Sequence, residues 1–135
     1  MSLFVNRISA DRWSGRSCVQ DEFDPPVTED VEKVVEELDT KVRTLACLYG
    51  SDGSYLTIGG GAGQYVVILA TPGGEYWNLV AEGQDPEERV PLVCGGQEGD
   101  FPKRQVVDKD SALKAAKSFS LSGELDQSLK WELDI

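Results

Sequence analysis

YLTIGGGAGQYVVILATPGGEYWNLVA, residues 55–81, is the stretch that decides the fold. Two turn-forming clusters, Gly59-Gly60-Gly61-Ala62-Gly63 and Pro72-Gly73-Gly74, divide it into runs at 55–59, 64–71 and 75–81, each with strand composition. Separators this short join only antiparallel neighbours, so a meander is the economical topology. Residues 65–70 are apolar on both faces, which marks a central strand covered from both sides. In the next run Trp77 and Leu79 share one face, while Tyr76, Asn78 and Val80 take the other. Upstream, a further run at 43–49 is linked through Gly50-Ser51-Asp52-Gly53. Downstream, a fifth run at 90–94 follows the acidic loop 82–88.

Helices flank this block. Val31, Val34, Val35 and Leu38 recur at helical spacing behind Thr28, a capping residue, with Glu29 and Asp30 in the first turn. A second helix is expected from Asp108 to about Phe119, its stripe of Ala112, Ala115, Ala116 and Phe119 implying close approach to a sheet. After Gly123, residues 125–133 offer a last strand with Leu129, Trp131 and Leu133 on one face. The fold class is α+β: a single antiparallel, meander-like sheet of five to seven strands with two helices packed on it. The whole chain, 1–135, reads as one domain with an irregular N-terminal segment at 1–26 and a core at 27–132. Within that segment only residues 3–8 suggest a short edge strand, and 97–105 reads as a polar connection.

Composition narrows the function. Lys and Arg total 13 against 24 Asp and Glu, a net charge of −11, and there is no histidine. That excludes Ser-His-Asp and Cys-His nucleophile pairs, histidine metal sites and histidine acid–base chemistry. The charge argues against binding nucleic acid, which requires cations to displace phosphate counterions, and against anionic membrane surfaces. The three cysteines, Cys18, Cys47 and Cys94, are an odd set without metal or redox spacing. They read as free thiols of a reducing cytoplasm. No cofactor or metal is expected. The glycine cluster invites a phosphate-loop reading, but it runs into a strand at Gln64 with no lysine near, so a hairpin turn is the stronger reading.

Two acidic stretches are candidate sites. Residues 21–39 hold nine acids against Lys33 alone, and 82–100 hold Glu82, Asp85, Glu87, Glu88, Glu98 and Asp100 against Arg89. A solvated face, docking of a basic partner, and paired-carboxylate chemistry are the open readings. For docking, the acids of 82–100 come first, because they punctuate loops beside the sheet. Asp21, Glu22 and Asp24 with Trp13 come second. Trp13, flanked by Arg12, Ser14, Gly15 and Arg16, either covers a sheet edge or serves as an exposed hot spot. Trp77 and Trp131 read as core.

The element order, with Gly95-Gly96-Gln97, then 112–119, Gly123 and the closing Trp131-Glu132, resembles the first-numbered immunity-protein family of bacterial polymorphic toxin systems. The resemblance extends from about Val27 to Glu132 and is strongest in 55–67 and in the Phe119…Gly123…Trp131 spacing. It implies a non-enzymatic antitoxin that binds and occludes a cognate toxin domain, nucleic-acid-directed, such as a deaminase or nuclease, and basic in its groove. An acidic adaptor or assembly subunit without a toxin partner is the alternative, and a small carboxylate enzyme a further one.

Overall fold

The computed structural model describes residues 3–83 and 87–134. The chain begins with two strands, β1 (Val5–Ser14) and β2 (Ser17–Phe23), followed by helix α1 (Thr28–Glu36). Four strands follow: β3 (Leu45–Gly50), β4 (Tyr55–Gly61), β5 (Gln64–Ala70) and β6 (Tyr76–Val80). A hairpin of β7 (Arg89–Cys94) and β8 (Gln97–Pro102) leads through a short 3-10 turn (Lys103–Gln105) to helix α2 (Lys109–Ser122), and β9 (Lys130–Asp134) closes the chain. The main sheet is antiparallel and seven-stranded, in the order β2-β1-β3-β4-β5-β6-β9, with β7-β8 as a separate two-stranded sheet. The class is α+β, as the sequence implies, and residues 43–81 form the expected meander.

Three expectations are corrected. Residues 5–23 of the segment are not irregular: β1 and β2 form a hairpin across Gly15 and Arg16, and β1 lies inside the sheet between β2 and β3. Its pairing with β2 is reinforced by cross-strand charges, Arg7 with Glu22 at 2.9 Å and Arg12 with Asp21 at 3.0 Å, rather than by apolar alternation. The run 90–94 leaves the main sheet for its own hairpin, and the polar stretch after it supplies the partner strand β8. Its side chains are exposed or half-buried, so no apolar period marks it.

One face of the sheet carries both helices. Ile8, Ala46, Leu48, Leu56, Ile58, Val67 and Leu79 meet Val31, Val34, Val35, Ala112, Ala115, Ala116 and Phe119 in the core. Phe4 packs edge-to-face on Phe119, with ring centroids 5.7 Å apart. Helix α1 starts one residue earlier than Thr28 capping would require: Val27 is the N-cap, and its N–H donates to Asp30 Oδ2 at 2.8 Å. Asp108 caps α2 by accepting from the Ser111 N–H at 2.8 Å, and Gly123 ends it in the left-handed conformation. The glycine cluster makes the hairpin turn at Ala62-Gly63. It also lets the chain leaving α1 cross the sheet end: a Cβ on Gly61 would lie 2.6 Å from the Leu38 carbonyl carbon.

Candidate partner-binding face

Strand register organises the helix-free face of the sheet into three rows running across the strands. Leu45, Gly59 and Val66 are in register in the first, which the alternation along β1 and β6 extends to Asp11 and to the Val80–Lys130 pair, and Ser9, Cys47, Thr57, Ile68, Asn78 and Glu132 form the second. The third is Arg7, Tyr49, Tyr55, Ala70, Tyr76 and Asp134.

The β7–β8 hairpin covers the first row. Gly59 leaves room for the Cys94 side chain, where a Cβ would sit 2.6 Å from its Sγ. Val66, Val80 and Leu92 are buried outside the main core. Burial, helped by the negative charge of Asp11, pushes the Cys94 thiol up to about 11. The hairpin tip is latched by a buried carboxylate. Asp11 Oδ1 accepts from the N–H groups of Thr44 at 2.7 Å and Leu45 at 3.0 Å. Its Oδ2 accepts from Trp13 Nε1 at 2.7 Å and from the Thr44 hydroxyl. Thr44 Oγ1 in turn accepts from the Gly96 N–H at 2.9 Å. The Trp13 indole lies so close to Gly96 that a Cβ there would overlap its ring. At the other end, Arg104 clamps the Glu132 carboxylate, and the Ala81 N–H donates to the Arg104 carbonyl at 2.7 Å. The same pairing holds the Glu132 carboxyl below its ordinary range.

Beyond the hairpin the face is open. The Arg7 guanidinium stacks over the Tyr49 ring with Cζ 3.9 Å from the centroid, and Tyr49 lies 6.2 Å from Tyr55 at a 39° tilt. Tyr55 and Tyr76 are 37% and 47% exposed, which is high for side chains of this size in paired strands. The neighbouring Tyr76 phenol, with partial desolvation, pushes the Tyr55 phenol above its ordinary value. Cys47 and Thr57 touch across the second row at 3.7 Å.

The sequence candidates scatter across this framework. Trp13 is half-buried in β1, its indole N–H bonded to Asp11, so it lies in a strand and not in an irregular segment. Asp21 is engaged by Arg12 and by Arg43 at 2.7 Å, which hold its carboxyl below the ordinary range. Glu22 pairs with Arg7, and Asp24 is exposed just past β2. Glu82 lies 3.9 Å from Lys130, and Glu88 lies 3.2 Å from Lys103. Glu87 is exposed on the approach to β7, and Asp85 falls outside the described residues. Glu98 and Asp100 share one side of β8, exposed and without an ion pair among the described residues. The structure therefore puts Glu98 and Asp100 side by side on β8, with Glu88 at the far end of the hairpin beside Lys103, whereas Asp21 and Glu22 lie on β2. The tyrosine row was not singled out from sequence, although the placement of Tyr76 opposite Trp77 was the signal that leads to it.

Each carboxylate with a displaced pKa, among them Asp39, Asp52, Asp108 and Asp126, is displaced downward, mainly by hydrogen bonds to its charged form. Among the described residues, no group of three or more His, Cys, Asp or Glu side chains is placed to hold a metal ion. No helix among them is long and apolar enough to cross a membrane.

No curated protein matches the chain. The family described as Immunity protein Imm1 matches residues 19–133, from within β2 into β9, and so takes in both helices, the β7–β8 hairpin and all three tyrosines of the open row. With most of its length matched, the chain belongs to the Imm1 immunity protein family.

Proposed function

We propose that this chain neutralises a cognate toxin domain of a bacterial polymorphic toxin system by binding it and covering its working surface in the cytoplasm of the producing cell. The match over residues 19–133 carries this reading. Proteins of an immunity family act in general without catalysis of their own, and occlusion requires only a complementary surface. The charge supports a basic partner. At −11 the chain generates a long-range field that accelerates encounter with cations. A toxin acting on nucleic acid, as a deaminase or nuclease does, presents a basic groove to its substrate, and carboxylates occupy such a groove as phosphate mimics. Glu98 and Asp100, exposed on β8, are the first contacts, and Glu82, Asp85, Glu87 and Glu88 remain candidates from the sequence.

Growth rescue tests the proposal. The C-terminal domain of the protein encoded immediately upstream is expressed under tight control, with and without this chain. A toxic domain whose toxicity this chain abolishes supports the reading. A toxic domain unaffected by the chain refutes it for that pair and leaves the adaptor alternative in front.

A further inference from the structure

The open row has a composition that the immunity reading does not require. In register across six strands it runs guanidinium, ring, ring, methyl, ring, carboxylate: Arg7, Tyr49, Tyr55, Ala70, Tyr76 and Asp134. At a strand spacing of about 4.8 Å the row is about 24 Å long, the dimension of one side of an ordinary protein–protein interface. The small Ala70 is buried between Tyr55 and Tyr76, whose phenols lie close enough to act on each other while both rings stay exposed. Tyrosines on a rigid sheet, half in solvent, bring large contact area at little cost in conformational entropy.

Which partner fits is answered by charge and by what already sits there. The acids near the row are Asp134 within it, Glu75 next to Tyr76, Asp52 in the turn between Tyr49 and Tyr55, and Glu22 on Arg7. Arg7 is the single cation of the row. Its guanidinium, stacked at 3.9 Å on Tyr49, shows the kind of group these rings accept. Planar guanidinium stacks on aromatic faces and is more weakly hydrated than ammonium, so arginine suits this surface better than lysine.

We propose that the open tyrosine row of the sheet is the docking surface for an arginine-bearing loop of the toxin domain, which stacks on Tyr55 and Tyr76 with its charge directed at the acids around them. This rests on the immunity reading and deepens it. The acids of the β7–β8 hairpin then govern the rate of encounter, while the tyrosines govern the lifetime of the complex.

The test uses the full chain and the C-terminal domain encoded upstream, with association and dissociation followed by biolayer interferometry. The variants are Tyr55→Ala/Tyr76→Ala, Tyr55→Phe/Tyr76→Phe and Glu98→Gln/Asp100→Asn. Both tyrosines are exposed, and thermal melts of each variant confirm the fold. The alanine pair is expected to raise Kd by about 100-fold or more, mostly through faster dissociation, and the phenylalanine pair to stay within about threefold. Wild-type chain that binds, with the alanine pair within about threefold of it, overturns this proposal and leaves the immunity reading standing. Wild-type chain that does not bind overturns both. A row that instead joins two copies of this chain shows itself as a concentration-dependent dimer abolished by the alanine pair, which also overturns it. Ring-proton NMR with hexa-arginine and hexa-lysine supplies the last arm. Larger shifts at Tyr55 and Tyr76 with arginine support the assignment, and equal shifts overturn the choice of arginine.

Discussion

Asp11 is 2% exposed and accepts four hydrogen bonds, so its replacement has a cost that follows from the donors it leaves behind. Asp11→Ala removes the acceptor for the Thr44 and Leu45 backbone N–H groups and for the Trp13 indole N–H. The Thr44 hydroxyl can rotate, but these three N–H groups cannot. A buried donor left unpaired costs about 1–3 kcal/mol, and water entering the vacated volume recovers part of it, so about 4 kcal/mol is expected overall. For a chain of this length that is a fall in Tm of about 15 °C. Asp11→Asn is milder. With its oxygen on the two backbone amides, its Nδ2 faces the indole N–H, donor against donor, for a loss of about 2 kcal/mol. Urea unfolding monitored by tryptophan fluorescence measures both, provided the m value is unchanged. Because Thr44 passes the network on to Gly96, faster amide exchange at the tip of the β7–β8 hairpin should accompany the loss. A loss below about 1 kcal/mol for the alanine variant would refute the assignment of Asp11 as the latch.

Gly96→Ala places a methyl group in the Trp13 ring at a backbone φ of 80°, and a loss of about 2–3 kcal/mol with a red shift in tryptophan emission is expected. Raising salt from about 0.05 to 0.5 M should slow association with the toxin domain by tenfold or more, and Glu98→Gln/Asp100→Asn should flatten that dependence. Stopped-flow association is the measurement, and a salt-insensitive rate removes electrostatic steering. An alkylating reagent at pH 8 should label exposed Cys18 quickly and Cys94 only after unfolding, as mass spectrometry of the digested chain will show. The folded protein keeps the Cys94 proton to about pH 11, whereas the unfolded chain releases it near 9.0. This thiol therefore adds stability below pH 9.0 that is lost as pH rises toward 11, and Cys94→Ala should remove that part of the alkaline decline.

What the sequence revealed and what it hid follow from a single distinction. Elements with a buried stripe announced themselves: the apolar run of β5, the Val31-Val34-Val35-Leu38 stripe and the alanines of α2 all face the core. Elements held by other means did not. β2 is an exposed edge strand held to β1 by ion pairs, and β8, with Gln97, Glu98 and Asp100, has the composition of a loop. Asp11 gives no local sign of its role, because nothing near it in the sequence shows that Thr44, 33 residues away, supplies its donors. The tyrosine row was invisible for a related reason. Tyr49, Tyr55 and Tyr76 are unevenly spaced in the chain and align only when four strands are set in register. The acidic stretches were read correctly as charge but not as structure. Much of 21–39 is spent on Arg7, Arg12, Arg43, Lys109 and Lys117, whereas Glu98 and Asp100 keep their charge for solvent.

The separate β7–β8 sheet divides inheritance within the molecule. Its inner side, with Cys94 on Gly59 and Gly96 beneath Trp13, is tied to the framework, and changes there are resisted by packing. Its other side presents Glu98 and Asp100, exposed and without an ion pair among the described residues, and substitutions at such positions shift stability by only about 0.5 kcal/mol. Under the proposed function, descendants of this protein can therefore revise the charges they show a changing adversary while the scaffold is passed on intact. Were the toxin domain met through these acids, as proposed, that separation would let recognition evolve at the adversary's pace without putting the fold at risk.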